Sequence, residues 1–258
     1  MFHNNKPIFA SGVVLKANML EIASMYPRHM MDIMYSKYSD GILSGVEISV
    51  EDRSTIRLSK GIMKLQGNIY YMEEDKCIKV QPNIDTQYLK IRVKEKEMQA
   101  DMERFETEYV IDTQMAEENE FEICRFVLNE GAILRTDYTD LRDYATMHNT
   151  INILETKYSA IGKSTVNPKF LLEFGRQMYS CNLTNVDDVV FVTECLKEEN
   201  IKREIIEKYI WKRLGEGNRE YSNQEIYRKL IEILDIVKRG EVGGGMQGRM
   251  QPRRLLVD

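Results

Sequence analysis

Residues 39–74 read SDGILSGVEISVEDRSTIRLSKGIMKLQGNIYYMEE, and this stretch decides the fold class. Short runs of Ile, Val and Leu alternate with polar residues, as is typical of strands that bury one face. A turn signal ends each run: Asp40-Gly41, Ser44-Gly45, Glu51-Asp52-Arg53, Lys60-Gly61 and Gly67-Asn68. The stretch therefore predicts a tight β-meander with a hairpin turn at Gly67-Asn68.

Further strand patterns extend the β region over residues 41–135. They cover residues 76–80, 87–93, 108–111 and 120–128. The charged sequence KEKEMQADMERFETE, residues 94–108, fits either a solvated excursion between strands or a short helix. About seven short strands with frequent turns predict an antiparallel β-sandwich or a small barrel.

Residues 14–38 carry a helical pattern ahead of the β region. Apolar residues, several of them Met, return at spacings of three and four. Pro27 removes one N–H and disfavours helix at Tyr26, so the pattern predicts two short helices or one kinked helix. We interpret the Met-rich stripe as core; an exposed partner surface is the alternative.

Residues 167–239 predict a C-terminal bundle of four helices, because each helix has a start or stop signal. These signals are Asn167 with Pro168, Thr184 with Asp187, Gly215 after residues 201–214, and the capping-box pair Ser222 and Glu225. For the second helix, we expect Val186, Val189 and Val190 on the buried side. The third helix is expected to bury Ile205.

The predicted fold class is therefore α+β, with an N-terminal helical segment, a central antiparallel β-sandwich or small barrel, and a C-terminal α-helical bundle. The predicted domains are 1–40 (arm and helices), 41–135 (β domain), 136–166 (linker), 167–239 (four helices) and 240–258. The last of these is rich in Gly and Arg and is expected to be a flexible tail, or to be ordered by a partner.

Composition argues against several classes of protein. Charged residues make up 30% of the 258 residues, the net charge is −5, and Lys and Arg are spread through the chain. We therefore expect no nucleic-acid partner, no membrane insertion and no signal peptide. The four cysteines, Cys77, Cys124, Cys181 and Cys195, lack metal-ligand spacing and are expected to be reduced thiols.

The candidate chemical motifs are weak. Gly162-Lys163-Ser164-Thr165 lacks the Gly that a P-loop needs at position 157, where Lys157 stands. Asp137, Asp140 and Asp143 do not have the spacing of an EF-hand loop.

Histidines are also few. They are His3, His29 and His148. A nucleophilic pair of Cys124 and His148 stays possible only if the fold brings them together, and Cys124 stands inside a strand pattern. We predict no catalytic, cofactor-binding or metal-binding residue, no cofactor and no enzymatic activity.

The order of four segments carries a family resemblance. The segments are YSKYSDGILSGVEISV (35–50), IRLSKGIMKLQGNIYYMEED (56–75), QYLKIRV (87–93) and FEICRFVLNEGAILRTDYTDLRDY (121–144). Within them we rely on Asp40-Gly41 with Ser44-Gly45, on Gly61 with Gly67 and Tyr70, and on residues 124–126 and 134–136. Over roughly residues 14–240 the chain resembles tail baseplate proteins of phages, prophages and phage-tail-like bacteriocins of clostridia and their relatives.

This resemblance implies a structural virion protein in the baseplate of a contractile tail, made in the host cytoplasm. It would join the baseplate wedge to a tail fibre or receptor-binding protein, in several copies within a symmetric assembly, and have no enzymatic residues. The alternative is a receptor-binding module that contacts the host surface through the β domain. This receptor-binding alternative would be favoured if certain aromatic residues clustered on one exposed face. These residues are Tyr70, Tyr71, Tyr88, Phe105 and Tyr109.

Overall fold

A computed structural model of the chain describes residues 3–98, 103–146, 148–217 and 219–240. The chain divides into an N-terminal unit, Met1–Tyr38, and a main unit, Ser39–Asp258. The predicted α+β class is confirmed, with an N-terminal helix, central antiparallel sheets and C-terminal helices. The predicted domain boundaries stay predictions, and the predicted tail from residue 241 onward lies outside the described residues.

The N-terminal unit contains one helix, α1 (Ala17–Met34), which continues through Pro27. The chain thus forms a single helix here rather than two, although Pro27 cannot donate a backbone hydrogen bond. The core interpretation of its apolar stripe is wrong, because every residue of α1 is at least partly exposed. We call this exposed set the α1 stripe; it comprises Leu20, Tyr26, Met30, Ile33 and Met34.

In the part of the main unit that the structure describes, eleven strands come first, all paired antiparallel. They are β1 (Gly41–Gly45), β2 (Ile48–Val50), β3 (Thr55–Leu58), β4 (Gly61–Leu65), β5 (Asn68–Met72), β6 (Lys76–Lys79), β7 (Asn83–Val93), β8 (Glu97–Met98), β9 (Glu103–Arg104), β10 (Thr107–Asp112) and β11 (Glu120–Leu128). The sheets are β1-β4-β5, β2-β3-β6, β10-β7-β11 and β8-β9. None of them closes into a barrel within the described residues.

The meander follows the predicted turns closely. The β4–β5 loop is Gln66-Gly67, one residue before the predicted pair, and both residues have positive φ, 49° and 78°. Positive φ at both loop residues fits the right-handed twist of the paired strands. The Asp40 carboxylate fixes this turn by accepting the N–H groups of Gln66 (2.8 Å) and Gly67 (3.2 Å).

Residues 136–166 take part in the core of the main unit. Isolated bridges join Arg125 to Asn152 and Ile42 to Tyr158. Ile151, Ile153 and several neighbours are buried within the same apolar cluster as the strands and helices. A short 3-10 helix, Leu141–Ala145, lies within this segment, and the Asp140 side chain caps its start.

Four helices follow: α2 (Pro168–Tyr179), α3 (Val186–Cys195), α4 (Arg203–Leu214) and α5 (Asn223–Lys238). Three of the predicted signals are confirmed, namely the Asn167 cap, the αL stop at Gly215 and the capping box of Ser222 and Glu225. For α3 the predicted Thr184 cap is wrong. Asn185 stands directly before the helix and accepts the N–H of Asp187 at 2.8 Å.

A buried ion pair joins α3 to α4. Asp188 and Arg213 are 1% and 5% exposed, and Arg213 Nε donates to the two Asp188 carboxylate oxygens at 3.0 and 3.2 Å. The hydroxyl of Tyr209 also donates to Asp188, at 2.9 Å. The Tyr209 ring stacks on Phe191 at a centroid distance of 4.0 Å. These contacts fix α4 against one face of α3.

A second buried network lies in the β10-β7-β11 sheet. Lys90 is 1% exposed, and its Nζ lies 2.7 Å from Glu120 and 2.9 Å from Asp112. Arg92 contacts the other Glu120 oxygen at 2.7 Å. Burial raises the pKa of Glu120, but hydrogen bonds from Lys90, the Glu117 N–H and Arg92 outweigh burial and lower that pKa to about 2.

We expect Arg213→Met to lower the free energy of unfolding by about 3–5 kcal/mol, because it leaves the charge of Asp188 buried without its ionic partner. Asp188→Leu combined with Arg213→Met should recover most of this loss. Lys212→Met is the matched control, since it breaks only the exposed pair with Asp187 and should cost about 1 kcal/mol or less. Urea denaturation of the four proteins measures these differences; equal losses for the two single variants would contradict the assignment.

Glu120→Gln should lower the free energy of unfolding by about 3 kcal/mol at pH 7. Since the folded pKa, about 2, lies below the ordinary value of 4.5, the Glu120 carboxylate stabilises the fold above pH 4.5. This contribution is lost as the pH falls toward 2, so the difference from the original protein should narrow across that window. Urea denaturation at several pH values tests this, with exposed Glu118→Gln as control. A difference that does not change with pH would refute it.

Candidate functional site

The residues singled out as a possible phosphate loop form ordinary structural contacts. The backbone of Thr165 exchanges hydrogen bonds with Tyr158 at 2.8 and 2.9 Å. The Lys163 ammonium pairs with Glu220. The segment therefore leads as a paired strand-like stretch into the Asn167 cap of α2.

The three aspartates of the 136–166 segment each have a separate structural position. The Asp143 carboxylate accepts hydrogen bonds from two guanidinium nitrogens of Arg135, each at 2.8 Å. This pairing holds the pKa of Asp143 well below its usual range. Asp140 caps the 3-10 helix and Asp137 is exposed. Among the described residues, no group of three His, Cys, Asp or Glu side chains is arranged to hold a metal ion.

Cys124 and His148 do not form a nucleophilic pair. Cys124 is fully buried, and burial raises the pKa of its thiol far above the ordinary value, which keeps the sulfur protonated and unreactive. His148 is exposed and contributes only its backbone carbonyl, which accepts the Val127 N–H at 3.2 Å.

A cavity of about 310 Å³ opens in the main unit between β2, the 136–158 segment and α2. Its volume lies at the lower end of the range for ligand pockets. Aromatic, aliphatic, polar and charged residues line it. It comprises Ile48, Thr136, Tyr138, Tyr144, Ile153, Tyr158, Asn167, Lys169, Leu172, Glu173 and Arg176.

The three tyrosines of the cavity differ in how their hydroxyls are satisfied. Tyr138 stacks on Tyr144 with ring centroids 3.9 Å apart and donates to the Ile151 carbonyl at 2.7 Å. Tyr144 and Tyr158 are 6% and 7% exposed. Their hydroxyls are not among the buried side-chain atoms that lack a partner in the described residues, which are those of Tyr70, Thr150 and Thr165. Burial raises the pKa of Tyr144 to about 12, with a smaller contribution from the charge of Glu173.

The cavity rim carries charges of both signs. Lys169 pairs with Glu47 at 3.3 Å. Glu173 accepts the Gln177 side-chain amide at 2.7 Å. Arg176 is exposed one turn further along α2. The cavity thus combines aromatic and aliphatic side chains with charges of both signs from α2.

The outer faces of α3 and α4 carry exposed apolar side chains. We call them the α3–α4 surface; it comprises Val186, Val189, Val190, Ile205 and Trp211. The prediction that the three valines and Ile205 are buried is wrong, because Asp188, Phe191, Val192 and Cys195 occupy the buried face of α3. An exposed ion pair between Lys212 and Asp187, 2.7 Å long, bridges the two helices.

The aromatic residues named for receptor binding do not share one exposed environment. Tyr88 is buried, whereas Tyr71, Phe105 and Tyr109 are exposed. The Tyr109 hydroxyl contacts the sulfur of Met72 at 2.8 Å. Successive side chains of a strand point to opposite faces, so Tyr71 lies on the face of β5 opposite Met72. Tyr71 and Tyr109 are therefore not parts of one aromatic face.

Tyr138→Phe should lower the free energy of unfolding by about 1 kcal/mol, because it removes a hydrogen bond to the Ile151 carbonyl. Tyr144→Phe should change it by less than about 0.5 kcal/mol, since the lost hydroxyl makes no hydrogen bond among the described residues. Urea denaturation compares the two, and each variant controls for the other because the rings stack on each other. Equal losses would show that the Tyr144 hydroxyl is satisfied within the protein.

Comparison with known proteins gives matches at the level of structure. The sequence matches no protein-family model and no curated protein. A crystal structure of TssK aligns with a TM-score of 0.42 and 8% identity, covering 92% of this chain and 72% of that chain. A cryo-electron microscopy structure of the type VI secretion system TssK–TssF–TssG baseplate subcomplex aligns with a TM-score of 0.44 and 10% identity. The alignment covers 93% of this chain and 100% of that chain. A structure of the baseplate complex from the type VI secretion system aligns with a TM-score of 0.33 and 9% identity, covering 90% of this chain and 100% of that chain. Alignments at this level establish neither a common fold nor a common function.

Proposed function

We propose that this chain is a structural component of the baseplate of a contractile tail, in a phage or a phage-tail-like particle. It acts as an adaptor between the baseplate wedge and a tail fibre or receptor-binding protein, and it has no enzymatic activity of its own. The kind of assembly comes from the sequence resemblance over roughly residues 14–240. The single structural observation that supports an assembly role is the exposure of the α1 stripe.

Helix α1 is amphipathic, and its apolar side, the α1 stripe, suits contact with a partner. Its apolar residues recur at helical spacing on one side of α1, while Glu21, Ser24, Arg28 and Asp32 occupy the other side. Burying a large apolar side chain contributes about 1.5–3 kcal/mol, and α1 gains little of this because its apolar side chains stay exposed. Large exposed apolar patches on proteins commonly mark binding surfaces.

The α3–α4 surface supplies a second apolar area on different elements. Two such areas suit a protein that holds two partners at once. We assign the N-terminal unit and the strands to the wedge, and the C-terminal helices to the fibre or receptor-binding protein. The symmetry of a baseplate places several copies of the chain in each particle.

Receptor binding through the β region is the less favoured candidate. It requires a single exposed face of aromatic residues, whereas Tyr88 is buried and Tyr71 and Tyr109 lie on opposite sides of β5. These exposed tyrosines are isolated, and single exposed aromatic residues are common on protein surfaces.

Cross-linking mass spectrometry on purified intact particles tests the adaptor. We expect links from the N-terminal unit and the strands to wedge proteins, and links from α3 and α4 to a fibre or receptor-binding protein. If particles lack the chain, the structural proposal is wrong. If the chain is present but α3 and α4 form no cross-link to another protein, receptor binding becomes the favoured function.

Charge substitutions on the two surfaces separate binding from folding. Met30→Asp with Ile33→Asp should reduce the copies of the chain per particle tenfold or more, since a tenfold loss needs only 1.4 kcal/mol of interface energy. The fold itself should keep its stability within about 0.5 kcal/mol, because both side chains are exposed. Asp32→Arg, on the polar side of the same helix, is the matched control and should leave incorporation unchanged.

The second surface has its own prediction. Val186→Asp with Val190→Asp should leave the chain in the particle but lower the amount of fibre or receptor-binding protein tenfold or more. Exposed Lys202→Glu, at the start of α4, is the control. Quantitative mass spectrometry of particles measures both changes. Unaltered fibre content in the double valine variant would rule out this surface as the fibre site.

A further inference from the structure

Strand β10 lies at one edge of the β10-β7-β11 sheet. Just before β10 its ladder with β7 continues, and the Lys94 N–H donates to the Glu106 carbonyl at 3.0 Å. Hydrogen-bonded pairs alternate along an antiparallel ladder, so every second residue counted from Glu106 directs its backbone groups to β7. The Val93 N–H agrees with this pattern, because it donates at 3.0 Å to Asn119, which precedes the strand on the other side of β7.

The intervening residues of β10 present a free backbone edge. They are Thr107, Tyr109 and Ile111, whose N–H and C=O groups point away from β7. From the part of the chain that the structure describes, no hydrogen bond reaches these groups. Thr107 and Tyr109 are exposed, so solvent reaches the edge. Unpaired backbone groups along a strand edge are a template for a further strand.

One face of this edge is acidic. Glu108 and Asp112 lie on the same face of β10, and their side chains are 42% and 34% exposed. Together with Glu120 they share two cations, Lys90 and Arg92. Three carboxylates thus face two cations, and the two more exposed carboxylates stand on the edge strand.

The opposite face of β10 is mainly apolar. Thr107, Tyr109 and Ile111 share it, because side chains alternate between the faces of a strand. Ile111 packs against the core of the main unit, and the Tyr109 hydroxyl contacts the sulfur of Met72 at 2.8 Å. A strand added to β10 would therefore meet apolar side chains on one face and carboxylates on the other.

A second copy of β10 does not suit this edge. In every antiparallel register that joins two or more of the free residues, acidic side chains stand directly opposite each other. Glu108 faces Glu108 or Asp112 of the second copy, or Glu106 faces Asp112. Like charges directly opposite each other destabilise a strand pair. A strand with Lys or Arg on this face avoids the repulsion and supplies the cation that the acidic cluster lacks.

We propose that β10 is a docking edge for an extended strand of a partner protein, in which Lys or Arg alternates with apolar residues. The backbone of this strand pairs with the free groups of β10. A cation opposite Val110 lies diagonal to both Glu108 and Asp112, within reach of a long side chain. The apolar residues on either side of that cation cover Tyr109 and Ile111.

Titration of the purified full-length chain with a synthetic peptide tests this docking edge. The peptide alternates Val with Lys over about eight residues, a common strand length. At saturation, amide hydrogen exchange of Thr107, Tyr109 and Ile111 should slow at least tenfold, because their N–H groups become hydrogen-bonded. The matched peptide with Glu in place of Lys should bind at least tenfold more weakly.

Three results of the titration overturn the proposal. They are absence of binding, equal binding of the two peptides, and binding that leaves the three amides unprotected. Exchange that slows with protein concentration alone, before any peptide is added, overturns it in favour of a second copy.

Two variants separate the backbone contact from the charge contact. Thr107→Pro removes one outward N–H without removing a hydrogen bond to β7, and should weaken binding of the Lys peptide at least tenfold. Thr107→Ala is its matched control and should bind like the original protein. Glu108→Lys should also weaken binding at least tenfold, whereas Glu118→Lys, at an exposed position outside β10, should not.

Urea denaturation establishes that each variant is folded. If folded Thr107→Pro and Glu108→Lys both bind the Lys peptide like the original protein, strand addition at β10 is wrong. These experiments need no tail particle, so their outcome is independent of the baseplate proposal.

Discussion

The main unit depends on the close approach of backbones around β1. A Cβ at Gly41 would lie 2.7 Å from the Ser159 nitrogen, and one at Gly61 would lie 2.5 Å from the Ser44 carbonyl. This space lets the Ile42 backbone donate to Lys157 at 3.1 Å and accept from Ser159 at 2.8 Å while β1 also pairs with β4. Since Tyr158 stands within that contact and lines the cavity, the same glycines position the meander and one wall of the site.

The sequence predicts this architecture wherever the determining contacts are local. The β4–β5 hairpin, the Asn167 cap and the Ser222 capping box depend on neighbours within a few residues, and all three are present. The contribution of residues 136–166 to the core depends instead on partners far along the chain, such as Arg125 with Asn152. The sequence does not predict the cavity, for the same reason. Its tyrosines follow no period, and only the folded 3-10 helix stacks Tyr138 on Tyr144.

The wrong predictions of burial have a common physical origin. Periodicity identifies an apolar side of a helix, but not whether that side meets the rest of the same chain or another molecule. In α1 the pattern predicts the apolar side correctly, but its prediction that this side belongs to the core is wrong. In α3, apolar residues occur almost all round the helix. Asp188 lies on its buried side, where it contacts Tyr209 and Arg213, which lie one turn apart on the same face of α4 and are distant from Asp188 in sequence.

Both faces of α3 carry apolar residues: Phe191, Val192 and Cys195 are buried beside Asp188, while three valines are exposed. Burying a charged pair is roughly neutral for stability compared with apolar residues of similar size, and exposing Val186 and Val190 forgoes the stabilisation that burial gives. The Asp188–Arg213 pair and the Tyr209 hydroxyl join the buried face of α3 to α4, and Val186 and Val190 lie on the opposite, exposed face.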